Sequence, residues 1–182
     1  MGRVTLSLIF LLAIQFATIG QQKLTFKSWN YVGLLEGETG SAFQLQTING
    51  LQVRGWFAGI GTGLDYYRYR SIPLFFSLNK KIGNRNRAFF ISMDEGVNFA
   101  WYKDDFSSSK FLPSLYLAPG IGYSIGLRNN RDAILIGVGY SYKHLREKVE
   151  RAVFCINPPC TPIIDHYDYR LNRLSMRVGW QF

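Results

Sequence analysis

The residues with the most chemical potential lie late in the chain: His144 and His166, with Asp165 and Asp168 nearby, and a serine run from Ser107 to Ser109 upstream. A serine activated by a histidine that a carboxylate orients would need all three within hydrogen-bond reach. Nothing in the spacing requires that meeting, and the chain shows no nucleophile elbow, phosphate loop or metal-binding motif. It is therefore read as no enzyme, with no cofactor and no metal, and the two histidines as solvated loop residues. Cys155 and Cys160 sit in CINPPC. Their closeness points to a disulfide closing a small loop, chemistry that an oxidising compartment permits. A redox centre would use the shorter C-x-x-C spacing, and a metal site would need more ligands nearby.

The remaining chemistry is charge placed inside apolar alternation. In Phe57 to Tyr67, the residues Phe57, Gly59, Gly61, Gly63 and Asp65 share one face of a strand, opposite Ala58, Ile60, Thr62, Leu64 and Tyr66. The same form returns in Gly120 to Leu127 and in Ile134 to Tyr142. One face is large and apolar, the other small or polar. That is the inverse of a soluble barrel, whose bulky residues fill the interior, and it fits a barrel with lipid outside and a polar lumen. A two-sided soluble sandwich is the competing architecture.

The start of the chain agrees with export. Met1 to Gly20 has one basic residue, Arg3, an apolar run from Val4 to about Ile14, then small residues. This is the layout of a cleaved signal peptide, with the cut expected after Gly20, so the domains read as 1–20 leader and 21–182 barrel. A permanent membrane helix would need about 20 apolar residues, and Gln15 interrupts the run. Loss of Arg3 lowers the formal charge from +9 to +8. Export makes nucleic acid a poor partner for that charge, and lipopolysaccharide phosphate a better one. Aromatic residues at 16%, 18 glycines and only 18% charged residues suit strands better than long helices.

The last segment is the most specific. In Tyr167 to Phe182 the positions Leu174, Met176, Val178, Trp180 and Phe182 form an apolar stripe, against Arg173, Ser175, Arg177, Gly179 and Gln181. An arginine on a lipid face near the midplane would cost about 2–4 kcal/mol, so Arg173 and Arg177 must look inward and need counter-charges. On these residues the chain resembles the superfamily of small eight-stranded outer-membrane β-barrels, over about Leu24 to Phe182. GIGTGLDYY and SIPLFFSLNKKIG are similar to barrels of the Bacteroidota. The resemblance implies that Val178, Trp180 and Phe182 form the signal read by the barrel assembly machinery, and that outer-membrane lipid surrounds the wall. Some such barrels acylate lipid A with residues at the rim, which is the only route by which His144 and His166 would become catalytic.

The fold expected is a closed, antiparallel, up-and-down transmembrane barrel. Eight strands are expected at Leu24 to Leu35, Ala42 to Val53, Trp56 to Tyr67, Ile72 to Ile82, Ala88 to Tyr102, Leu112 to Leu127, Ala133 to Arg146 and Tyr167 to Phe182. With Phe182 at the periplasmic edge, VRGW, GNRN and RNNRD become periplasmic turns. EGETG, RYRS, KDDFSSSK and the Glu147 to Asp165 segment then face outside. The same phase sends Asp65, Asp94, Lys143, Arg173 and Arg177 into the lumen as a charge network, with Gln44, Gln46, Ser92 and Asn98. Glu95 falls on the outer face, which a bulge at Asp94 to Gly96 would correct. Trp29, Trp56, Trp101, Tyr102, Tyr167 and Trp180 are expected in interfacial girdles. A barrel has no free strand edge, so a monomer is expected. The function expected is structural or surface interaction with a plugged lumen; a narrow pore and a rim enzyme are the alternatives.

Overall fold

The computed structural model describes residues 24–38, 40–66, 70–84, 86–101, 109–127, 132–151 and 163–182. The leader, Tyr102, Cys155 and Cys160 lie outside these residues. The strands are β1 (Thr25–Glu36), β2 (Ala42–Val53), β3 (Trp56–Tyr66), β4 (Arg70–Asn84), β5 (Arg87–Ala100), β6 (Ser109–Leu112), β7 (Ser114–Gly126), β8 (Ala133–Arg151) and β9 (Ile163–Gln181). Each pairs antiparallel with its neighbour, and β9 returns to β1, so the sheet closes.

Segments β6 and β7 both pair with β8 and act as one stave, giving eight around the barrel. Between Leu112 opposite Arg146 and Tyr116 opposite Lys143 the two sides advance by unequal numbers of residues. That mismatch is a bulge, and it sits where Pro113 offers no N–H to the ladder.

Stepping across the pairings from Thr25 through Gln52, Phe57, Asn79, Ser92, Gly120, Gly139 and Ser175 leads back to β1 at Leu35, 10 residues further along. Such a stagger tilts the strands by roughly 35–45° and leaves an eight-strand interior that side chains can fill. At one end the connections are tight. Arg54 and Gly55, with φ of 46° and 81°, make the two-residue turn between β2 and β3, a geometry that matches strand twist and favours glycine.

The other end is uneven. Strands β8 and β9 remain paired out to Arg151 opposite Ile163, well beyond the strand ends expected at Arg146 and Tyr167. The segment read as a Glu147 to Asp165 loop is therefore, at both of its ends, a hairpin standing above the barrel. Its sequence hides this, because charged residues occupy both faces and give no apolar alternation to read.

The expected bulge at Asp94 to Gly96 is absent. Strand β5 pairs in unbroken register with β4 on one side and β7 on the other, and Glu95 stays on the outer face opposite Phe76 and Leu117. A bulge there would shift every later residue of β5 off both ladders.

Candidate functional site in the barrel lumen

Alternation puts every second side chain of each stave inside. Asp65 of β3, Asp94 of β5, Lys143 of β8, and Arg173 and Arg177 of β9 are all buried, together with Gln44, Gln46, Ser92 and Asn98. They form two layers. In the outer layer Lys143 Nζ pairs with Asp65 Oδ2 and also donates to Ser71 Oγ at 3.0 Å and Asn98 Oδ1 at 3.1 Å. Ser71 Oγ in turn donates to Asp65 Oδ1.

The second layer lies deeper, nearer the tight turns. Arg177 Nη1 donates to Asp94 Oδ2 at 3.0 Å and to Gln46 Oε1 at 3.3 Å, while Nη2 donates to Ser92 Oγ at 2.8 Å. Ser77 Oγ donates to the other Asp94 oxygen, Oδ1, and Asn79 Nδ2 to Ser77 Oγ at 2.8 Å. Gln46 Nε2 donates to the Tyr116 hydroxyl at 2.9 Å, and the Lys143 ammonium stands 5.3 Å from the Tyr116 ring centre, so one ring joins the layers. The Arg177 guanidinium also lies 4.8 Å from the Tyr31 ring. Each carboxylate thus has a cation and at least one hydroxyl, the condition under which buried charge is tolerated. Arg173 donates to Gly40 O at 2.7 Å and Leu35 O at 3.3 Å.

Between and beneath the ion pairs the lumen is aromatic, of which sequence reasoning placed only Phe57 inward. Trp29, expected in a girdle, is fully buried inside and stacks on Phe57 with ring centres 4.5 Å apart. Phe90 meets Trp29 edge-on at 5.5 Å, and Phe75 leans on Tyr116 at 5.3 Å. The signal that could have found them is the glycine on the facing stave: a Cβ on Gly61 would stand 2.4 Å from the Phe75 ring, and one on Gly122 2.3 Å from that of Phe90. Tyr167, also expected in a girdle, shares the inward phase of the standing hairpin above the strand ends. Trp56, Trp101 and Trp180 do face outward at strand ends, and the Lys80 ammonium caps the Trp56 ring at 4.6 Å. Lys81, not singled out by sequence, faces inward near the tight turns and donates to Ser124 Oγ at 3.2 Å.

At the standing hairpin, His144 Nε2 lies 3.5 Å from Asp168 Oδ1, and Arg146 shares that carboxylate at 3.7 Å. His166 is opposite Lys148 instead, and Asp165 is on the other face of the hairpin. The two histidines are therefore not brought to one carboxylate, and Ser107 and Ser108 lie outside the described residues. Val178, Trp180 and Phe182 all project from the outer wall, between half and two-thirds exposed, with Phe182 closing against Ser28 through paired backbone hydrogen bonds of 2.9 and 3.0 Å.

A closed eight-stave antiparallel barrel with an apolar outside and a charged inside is the fold of small outer-membrane barrels. The fold is similar to Neisserial surface protein A (TM-score 0.51, 9% identity, covering 88% of this chain and 98% of that one). It is similar to the outer membrane protein OprG from Pseudomonas aeruginosa (TM-score 0.55, 11% identity, 88% and 95%). It is also similar to the outer membrane protein AlkL in lipid bilayers (TM-score 0.51, 13% identity, 89% and 90%). At such identities the likeness carries the fold and nothing finer. No family model and no curated protein matches the sequence.

Proposed function

We propose that the chain is exported, loses its leader, and resides in a bacterial outer membrane, of the Bacteroidota type, as a barrel with a closed lumen and a structural or surface-interaction role. The observation that carries this reading is the pair of ion-pair layers, Lys143 with Asp65 and Arg177 with Asp94, seated over the Trp29 and Phe57 stack. An eight-strand barrel has room for little beyond such side chains. The wall anchors the protein, and the β8–β9 hairpin is what it presents outside. On the outward face of that hairpin, just above Tyr140 and Tyr142, stand Arg146, Lys148 and Arg170, where lipopolysaccharide phosphates would meet them. No catalytic step is assigned.

A narrow pore is the second reading. It is favoured by four buried polar atoms with no partner among the described residues, Trp29 Nε1, Tyr31 Oη, Gln44 Oε1 and Ser114 Oγ, which would hydrogen-bond a file of water. Single-channel recording of the full protein in planar bilayers separates the two. A silent membrane despite heat-shiftable, folded protein is expected; stepwise conductance abolished by filling the lumen, as in Gln44→Phe, would overturn the closed-lumen reading.

A further inference from the structure

Taking the outer wall as lipid-facing, as proposed above, its polar residues away from the two ends fall in two places. On β5 the outward residues run Phe89, Ile91, Met93, Glu95, Val97, Phe99 and then Trp101 just past the strand end. Glu95 is midway, so at about 3.3 Å per residue along a strand tilted near 40° it stands about 15 Å in height from either aromatic end. That is the middle of a hydrocarbon layer about 30 Å thick. Its neighbours across the ladders are Phe76 and Leu117, and along the strand Met93 and Val97. An ionisable group at this depth needs a hydrogen-bonding partner, because lipid tails supply none.

The second place is on β1, β2 and β3, where Asn30 pairs with Thr47 and Thr47 with Thr62, all outward and all mid-strand. Thr47 Oγ1 donates to Asn30 Oδ1 at 2.8 Å, and Asn30 Nδ2 to Ser28 Oγ at 3.3 Å. Asn49, opposite Ser28, adds an exposed amide. The row is the floor of a groove of about 700 Å³ on the wall, rimmed by Val32, Leu45, Leu64 and Trp180. On β4 the outward residues Ile72, Leu74, Phe76 and Leu78 are apolar, Lys80 standing at the Trp56 end, and on β7, β8 and β9 so are the outward residues from Leu115 to Ile125, Ile134 to Tyr142 and Leu174 to Trp180.

We infer that copies of this chain associate side by side in the membrane, the β5 wall of one copy seating in the β1–β3 groove of the next so that Glu95 meets the Asn30, Thr47 and Thr62 row. The occupant is set by three facts. Both features lie mid-wall: with each ladder step rising about 3 Å at this stagger, Thr62 stands nearly level with Glu95 and Thr47 about 4 Å from it in height, within reach of a glutamate side chain when two copies share one orientation. The row is made of hydroxyls and amides, which hydrogen-bond a carboxyl group in either protonation state. The groove is concave and the β5 wall convex, whereas two convex walls would touch along a line. Pairing like faces would instead set two Glu95 carboxyls together with no donor other than their own protons. Lipid headgroups carry their polar atoms too far from the midplane to reach the row. A contact between unlike faces does not close at two copies, so rows or rings larger than dimers result.

The test uses full-length protein in outer membranes and in lipid nanodiscs, with a photocrosslinking residue at Met93 or Val97. The expected product is a ladder beyond the dimer, with the link mapping to β1–β3 of a second copy. Glu95→Leu and Thr47→Leu should each lower the ladder about tenfold, the size of one interfacial hydrogen bond in a membrane, while Glu95→Gln retains it. Each variant must still show the heat-dependent gel shift of a folded barrel; where one does not, the crosslink map of the otherwise unaltered chain decides. Monomer alone, crosslinks to lipid or to another protein, or a ladder indifferent to Glu95→Leu would overturn the association. Absence of the barrel from the membrane fraction would instead refute the location proposed above.

Discussion

Lys143→Met is the most informative single change to the lumen. Lys143 and Asp65 are 1% and 0% exposed, and the lysine is the cation in contact with that carboxylate. Removing the ammonium leaves a buried Asp65 held by the Ser71 hydroxyl, and strips Asn98 Oδ1 of its donor. Breaking a buried pair in this way costs about 3–5 kcal/mol. With a urea slope of roughly 2 kcal/mol/M, the unfolding midpoint in detergent or lipid should fall by about 2 M. The double change Asp65→Asn with Lys143→Met removes the orphaned charge and keeps a group that Ser71 and Asn98 can use. It should recover most of that loss, giving a coupling of at least about 2 kcal/mol in the cycle. Tryptophan fluorescence is the assay, since the Trp29 stack is lost on unfolding. Equal midpoints for the single and double variants would refute the reasoning. They would mean that water reaches Asp65 and that the outer layer does not close the lumen.

Two further outcomes follow from the wall. Gly122→Ala should destabilise by about 1–3 kcal/mol, because its Cβ would sit 2.3 Å from the Phe90 ring and 2.5 Å from Ile136 O, whereas Gly137→Ala, with nothing nearer than 3.4 Å, should fall within about 0.5 kcal/mol of the parent in the same urea titration. Phe182→Ala should cut the amount of barrel assembled in cells several-fold yet leave refolding into detergent nearly unchanged, since the ring is 57% exposed on the outer wall; equal losses in both would make its role structural.

The strand positions and the inward phase were legible because alternation with an apolar outer face is a two-state code, and an arginine inside such a pattern has one affordable direction. Strand β9 shows this: Arg173 and Arg177 are buried while Leu174, Met176 and Val178 are exposed. What failed did so where the code is silent. Trp29 sits near a strand end, where a tryptophan suits a girdle and a narrow lumen equally. Only its partner Phe57, brought beside it through β2, decides for the inside. The β8–β9 hairpin beyond the barrel carries charged residues on both faces, so its pairing leaves no hydrophobic trace. The row of Asn30, Thr47 and Thr62 was passed over because each is a single polar residue in its own strand, and it becomes a patch only through register.

Asp94 and Glu95 show how tightly the two surfaces of the wall are tied. They are adjacent, so alternation allows one of them to face Arg177, and unbroken ladders to β4 and β7 on either side fix which one. Introducing a bulge to turn both inward would move Asn98 away from Lys143 and break hydrogen bonds on two ladders at once, undoing the outer layer to relieve one outward carboxyl. The lumen therefore dictates that residue 95 points outward, but it is indifferent to what residue 95 is. A leucine would satisfy the register, the ladder and the apolar side chains around it better than a glutamate does. A carboxyl kept there points to a partner outside the barrel, and the inclined hydrogen-bonding row of Asn30, Thr47 and Thr62, its Thr62 end nearly level with Glu95, is the feature of this molecule suited to meet it.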